Sequence, residues 1–159
     1  MVLSLLFVLA AIAGAQEKPK DIGEVSLEDL GNIKVYSASK HLQNASDAPA
    51  SVTVVTSDEI QKFGYRNLAD ILRSVSGFYV TYDRDYTFVG VRGFGRLGDW
   101  NSRILVLIDG HRVNNTVLGQ AMLGNEFLVD VDMIERVEIV RGPSSSLYGA
   151  NAFFAVINV

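Results

Sequence analysis

Ile104 to Ile108, "ILVLI", is the stretch that most narrows what this chain can become: five consecutive apolar side chains, three of them β-branched. The run is too short for a helix and has no polar position to offer to water. A central strand covered on both faces meets the pattern, because neither of its alternating rows then needs to be polar. Asp109-Gly110 follows at once and predicts a tight turn. A sheet therefore sits at the centre of the fold.

Other strands read clearly. "SVTVV" from Ser51 is β-branched, and "FYVTY" and "TFVGVRG" alternate on either side of a turn at Asp83 to Asp85. Arg136 to Val140 and the closing "FFAVINV" complete the set. Between them lie short helices. Thr56 and Glu59 have capping-box spacing, Val55 and Ile60 are placed as the hydrophobic staple, and Gly64 is a natural stop. A second helix begins near Asn67, with Leu68, Ile71, Leu72 and Val75 as one buried stripe and Gly77 as its end. A helical turn is expected near Asp130 to Ile134. A last short helix should have Pro143 in its first position and Gly149 as terminator. The loop from Asn114 to Phe127 is long, glycine-rich and without periodicity. The fold class is α+β: a small mixed β-sheet, short helices and long Gly-rich loops.

The start of the chain is different in kind. Residues 1–16, "MVLSLLFVLAAIAGAQ", carry no charge. The apolar run from Val2 to Ala13 falls short of the ~20 residues a membrane-spanning helix needs. With Ala13-Gly14-Ala15 as a small-x-small cleavage site, residues 1–15 fit a secretory signal peptide, although the basic n-region is missing. Residues 16–50 read as a flexible arm, with a short helical candidate at Ser26 to Leu30 and a lone β-prone stretch, "NIKVYSAS", lacking a partner strand nearby.

Composition excludes several functions. The net charge of −4 offers no clustered basic face for nucleic acid. With no cysteine, neither a disulfide framework nor a thiolate site is available. Gly142 to Gly149 resembles a phosphate cradle but lacks the lysine a Walker loop requires. Ser37-Ala38-Ser39-Lys40 matches Ser-x-x-Lys of acyl-transfer enzymes without the companion motifs, so Ser37 and Lys40 stand as a rival reading only. His41 and His111 are isolated, and Asp83-Arg84-Asp85 lacks the glycine and glutamate of a calcium loop. No metal, cofactor or catalytic residue is assigned. Arg92 and Arg141 remain: each leaves a strand into a glycine turn, as "VRGFG" and "VRGPS". A guanidinium is costly to bury without a carboxylate, so these two either sit in water or are aimed at acids outside the domain.

Taken together, "APASVTVVTSDEIQKFGYRNLADILRSVSGFYV", "VGVRGFG", "ILVLIDGHRV" and "IERVEIVRGPSSSLYGANAFFAVINV" resemble the plug domain of TonB-dependent outer-membrane receptors. The likeness runs from about Asp47 to the last residue. It implies a plug, residues 51–159, lodged inside a barrel of roughly 22 strands. Such a barrel takes on the order of 400 residues, so the resemblance makes this chain a fragment that lacks it. The implied function is gated uptake of a scarce nutrient such as a ferric siderophore, haem, cobalamin or saccharide. The implied location is the bacterial outer membrane, with the arm in the periplasm.

The implied partners are the barrel, the nutrient ligand and the TonB C-terminal domain. The TonB box, which adds a strand to TonB's sheet through its backbone, is assigned to Ile33, Lys34, Val35 and Tyr36 within "IKVYSAS". Its alternative is a strand docked on the plug itself. Arg92 and Arg141 are assigned to barrel glutamates. Tyr82, Tyr86, Phe94 and Trp100, on the loops Tyr82 to Tyr86 and Phe94 to Asn101, are candidates for substrate contact, and the Asn115 to Asn125 loop joins them. Ser76 and Ala155 depart from the family's usual proline and glycine. The other alternative function is a standalone periplasmic interaction module of plug-like fold.

Overall fold

The computed structural model describes residues 32–96 and 98–159. The predicted signal peptide and the helical candidate at Ser26 to Leu30 lie outside them. Nine strands are present among the described residues: β1 (Lys34–Val35), β2 (Gln43–Asn44), β3 (Ser51–Thr56), β4 (Phe78–Tyr82), β5 (Thr87–Val91), β6 (Ile104–Ile108), β7 (His111–Arg112), β8 (Arg136–Arg141) and β9 (Ala155–Asn158). The helices are α1 (Ser57–Phe63), α2 (Leu68–Ser74) and α3 (Ser145–Tyr148), with 3-10 turns at Ala45–Asp47 and Val131–Met133.

Five strands make the central sheet, in the order β3-β8-β9-β6-β7. β6 and β9 run parallel, with Ile104 opposite Ala155, and every other pair is antiparallel. β4 and β5 form a separate hairpin, and β1 and β2 a short ribbon. The mixed sheet follows from chain order. A parallel β6–β9 pair needs a long crossover, and residues 109–154 supply it.

"ILVLI" is buried from Ile104 to Leu107, with Ile108 half-buried, and its two rows face two different cores. Ile104 and Val106 join Val137, Ile139, Ala155 and Ile157 under α1, α2 and the β4–β5 hairpin. Leu105 and Leu107 join Val140 and Val156 on the opposite face. That second face is covered by Ala38, Ala48, Ala50, Val52 and Tyr148. Three of these come from the segment expected to be a mobile arm. In this state the described part of that segment, residues 32–50, lies folded against the sheet, where it keeps Leu105, Val140 and Val156 from water, a stabilisation of roughly 1.5–3 kcal/mol per side chain. "NIKVYSAS" is not a lone strand either. β1 pairs with β2, Lys34 opposite Asn44 and Val35 opposite Gln43. Two-residue strands leave almost no periodic signal in a sequence.

Local punctuation follows the sequence closely. Thr56 Oγ1 accepts from Glu59 N while the Glu59 carboxylate accepts from Thr56 N, which completes the capping box. Gly64 closes α1 in the left-handed region at φ 66°, where a side chain would be strained. Asn67 caps α2 through Asp70 N. Two ends differ. α2 stops at Ser74 with Val75 as its cap, and Gly77 (φ 88°) instead turns the chain into β4. α3 begins at Ser145 after Ser144, so Pro143 lies outside the helix.

The long loops are better tied than their composition implies. Asn101, buried, donates to Thr87 O and Ala121 O and accepts from Val89 N. Asn114, also buried, accepts from Val106 N and donates to Ile104 O and Gly119 O. Its amide thus extends the β6 ladder where β7 has ended, and the loop needs no strand of its own.

Candidate functional site

The Ile33–Tyr36 segment carries the densest polar contacts of the arm, and they reach across the whole chain. β8 brings Glu138 up beneath it. Glu138 is 1% exposed, and its Oε2 accepts from Tyr36 N (3.0 Å), Ser37 N (2.9 Å) and Ser37 Oγ (2.6 Å). Its other oxygen faces Arg136 Nη2 at 3.0 Å. Three donors and a cation compensate a carboxylate that would otherwise be very costly to bury. From the far side Tyr148 Oη donates to Ser37 O at 2.9 Å, and Lys40 Nζ stands 4.7 Å over the Tyr148 ring. Burial, followed by the nearby charges of Tyr36 and Glu138, pushes the Tyr148 phenol above its ordinary pKa.

The candidate TonB-box residues are therefore a docked strand in this state: Val35 is fully buried, Ile33 half-buried, Lys34 and Tyr36 exposed. The same contacts dissolve the Ser-x-x-Lys pairing. The Ser37 hydroxyl, itself buried, donates its hydrogen bond to Glu138, and Lys40 is occupied at Tyr148. Glu138 escaped sequence reasoning. One signal was there to read, a single carboxylate inside "VEIV", in a strand with a buried neighbour on each side.

Arg92 and Arg141 are brought to one place. Arg92 Nη2 donates to Arg141 O at 3.4 Å, and Arg92 N to Gly77 O at 2.7 Å. Arg141 reaches Ser76 O (2.6 Å) and Thr53 Oγ1 (3.1 Å), while its buried Nε has no partner. Among the described residues neither guanidinium forms an ion pair; their partners are neutral oxygens. Ser76, the residue before the Gly77 turn, contributes one of them.

The aromatic candidates divide into two groups. Tyr86 meets Trp100 edge-on at 4.4 Å between ring centroids, with Phe88 alongside. Tyr82 is 62% exposed and borders a groove of about 270 Å³ with Tyr79, Thr81, Asp83 and Arg96. Gly90 and Gly95 give that groove its floor, since a Cβ at either would run into the Tyr79 ring. Phe94 turns elsewhere and stacks on Phe154. Amides of Tyr86 and Asp85 donate to the Asp83 carboxylate, so its pKa is held below the ordinary value. The groove thus presents a fixed anion and the Arg96 cation beside exposed phenols.

"RGPSSSLYGAN" is held from the β6–β7 hairpin. Arg112 donates to Tyr148 O (2.8 Å), Ala150 O (2.9 Å) and Asn151 Oδ1 (2.6 Å). Asn151 in turn donates to Ser102 O and Gly119 O on the two long loops. Leu147 and Phe153 stay exposed on its outer side.

The family model described as "TonB-dependent Receptor Plug Domain" matches residues 44–156. The iron-regulated outer membrane virulence protein of Vibrio cholerae is 34% identical over 129 residues, covering 79% of this chain and 19% of that protein. The vitamin B12 transporter BtuB of Vibrio vulnificus is 34% identical over 128 residues, covering 79% and 20%. Among solved structures, the ferripyoverdine receptor of the Pseudomonas aeruginosa outer membrane, bound to ferripyoverdine, has a TM-score of 0.63 at 28% identity, over 79% of this chain and 16% of that one. The chain spans about a fifth of the length of the relatives it matches. It belongs to the TonB-dependent outer-membrane receptors, as their plug domain.

Proposed function

We propose that this plug is the gate of a receptor that takes up a scarce nutrient, an iron chelate or a corrinoid before a saccharide, through a barrel that it closes. The observation that carries this reading is the pair Arg92 and Arg141. They meet at two adjacent turns, and among the described residues their guanidinium groups donate only to neutral oxygens. Carboxylates on a barrel wall are the partners that complete such a site. The names of the related proteins, which include an iron-regulated protein, a vitamin B12 transporter and a ferripyoverdine receptor, support the substrate class.

Substrate contact is assigned to the groove of Tyr79, Tyr82 and Arg96 and to the neighbouring Tyr86–Trp100 pair, where rigid rings and one cation suit a flat or anionic chelate. Ile33, Lys34, Val35 and Tyr36 are assigned to pairing with the TonB C-terminal domain, after they leave their docked position.

The test is binding of radiolabelled iron chelates and cobalamin to cells carrying the plug within its barrel. Trp100→Ala and Arg96→Ala are expected to weaken binding of the preferred ligand about tenfold, the size of one lost cation or stacking contact. Unchanged affinity in both variants would overturn the assignment.

A further inference from the structure

We propose that Glu138 and Tyr148 form a two-sided clasp on Ser37, and that the strength of this clasp sets how often the Ile33–Tyr36 strand leaves the plug. The clasp rests on the hydrogen bonds described above. Its consequence for partner binding rests on the reading of Ile33–Tyr36 as the TonB-pairing segment.

The contacts are unlike those of the rest of the second face. Ala48, Ala50 and Val52 cover Leu105, Val140 and Val156 with apolar surface that water cannot replace. The Ser37 turn adds only the small Ala38 to that core. What holds the turn is polar, with both N–H groups and the hydroxyl on Glu138 Oε2 and its carbonyl on Tyr148 Oη. A polar seal opens differently from an apolar one, because water entering the gap takes over each hydrogen bond in turn. The Ser37 turn therefore opens with only Ala38 leaving the second core, provided the carboxylate is rehydrated, while release of the strand before it also brings the fully buried Val35 into water. Arg136 assists, since it stays beside Glu138 whether or not the strand is docked, and it also donates to Lys34 O at 3.4 Å.

The clasp has two independent anchors. Glu138 lies in the central sheet, where Glu138 is paired with Val54 and Asn158 in the strand register. Tyr148 lies in α3, and its backbone carbonyl is fixed by Arg112. Loss of either anchor leaves the other in place, so the strand is loosened rather than unfolded.

Amide hydrogen exchange on the full chain tests this. In Tyr148→Phe and Ser37→Ala, exchange at Lys34 to Ser39 is expected to quicken about tenfold, as for one lost hydrogen bond, and more in Glu138→Gln. Amides of Leu105 and Ile157 should keep their protection. Were Glu138→Gln to lose core protection as well, the two milder variants decide. Unchanged exchange at Lys34 to Ser39 in both, with the core intact, overturns the clasp. Binding to an isolated TonB C-terminal domain is then measured on the same variants, and it should tighten by the factor seen in exchange. Faster exchange without tighter binding leaves the clasp standing and removes the TonB assignment instead.

Discussion

The hydroxyl of Tyr148 donates to the carbonyl of Ser37 across 111 residues of chain. That bond ties the turn "SSLYG" to the segment that precedes the plug strands, and it gives the tyrosine a task beyond filling space. The phenol is half-buried, and its pKa is raised by burial first and by the charges of Tyr36 and Glu138 after it. The folded state therefore favours the neutral phenol. Its contribution is intact below the unfolded tyrosine pKa of about 10 and is lost as pH rises through the higher folded value. Urea midpoints measured from pH 8 upward should fall less steeply above about pH 10 in Tyr148→Phe than in the wild type. Parallel curves would show that the phenol is not coupled to folding.

Glu138→Ala leaves the Tyr36 and Ser37 donors without their acceptor and Arg136 without its anion. The cost should be about 3 kcal/mol, at the low end for a broken buried pair because Arg136 is partly solvated. Glu138→Gln keeps an acceptor and should cost less than half of that. Equilibrium denaturation gives both numbers, and equal losses would mean that the charge alone matters.

Asn114 stands in for a peptide unit on the β6 ladder, with three hydrogen bonds from one buried amide. Asn114→Leu keeps the branched shape and removes all three, so about 3 kcal/mol of stability should be lost. A loss under about 0.5 kcal/mol, within the range of an ordinary surface change, would show that the loop re-pairs with water.

Arg92 and Arg141 separate by context. In the chain alone Arg92→Ala should be nearly neutral, since its side chain is exposed and makes one long hydrogen bond. Within the barrel the same substitution should cost about 2 kcal/mol, measured as a drop in the thermal midpoint of the assembled receptor. Equal effects in the two settings would leave no role for a barrel carboxylate.

Val35→Pro removes a strand donor and also disturbs the β1–β2 ribbon. The freed strand would be more available to TonB, yet less able to pair with it. Capture of the variant by a TonB C-terminal domain should therefore fall well below wild type. Undiminished capture would move the TonB-pairing segment elsewhere.

What the sequence by itself determined was most of what depends on partners within a few residues. The two caps at Thr56 and Asn67, the stop at Gly64, the Asp109-Gly110 turn and the two-faced burial of "ILVLI" all depend on neighbours three or four positions away, or on the burial of a whole run. Alternation and cap spacing record such interactions directly. The placing of Arg92 and Arg141 at turn mouths was legible for the same reason.

Only the tertiary structure decided which distant groups meet. Glu138 lies 101 residues from Ser37, Arg112 lies 36 from Tyr148, and β1 finds its partner in a strand of two residues. No periodicity marks a hydrogen bond closed over such a span, because its geometry is set by how the sheet stacks and not by local backbone preference. For that reason residues 32–50 looked free in the sequence and are bound in the fold. The apolar side chains there, Val35, Ala38, Ala48 and Ala50, are too few and too small to signal burial, and they are joined in holding the segment by a carboxylate and a phenol supplied from the other end of the chain.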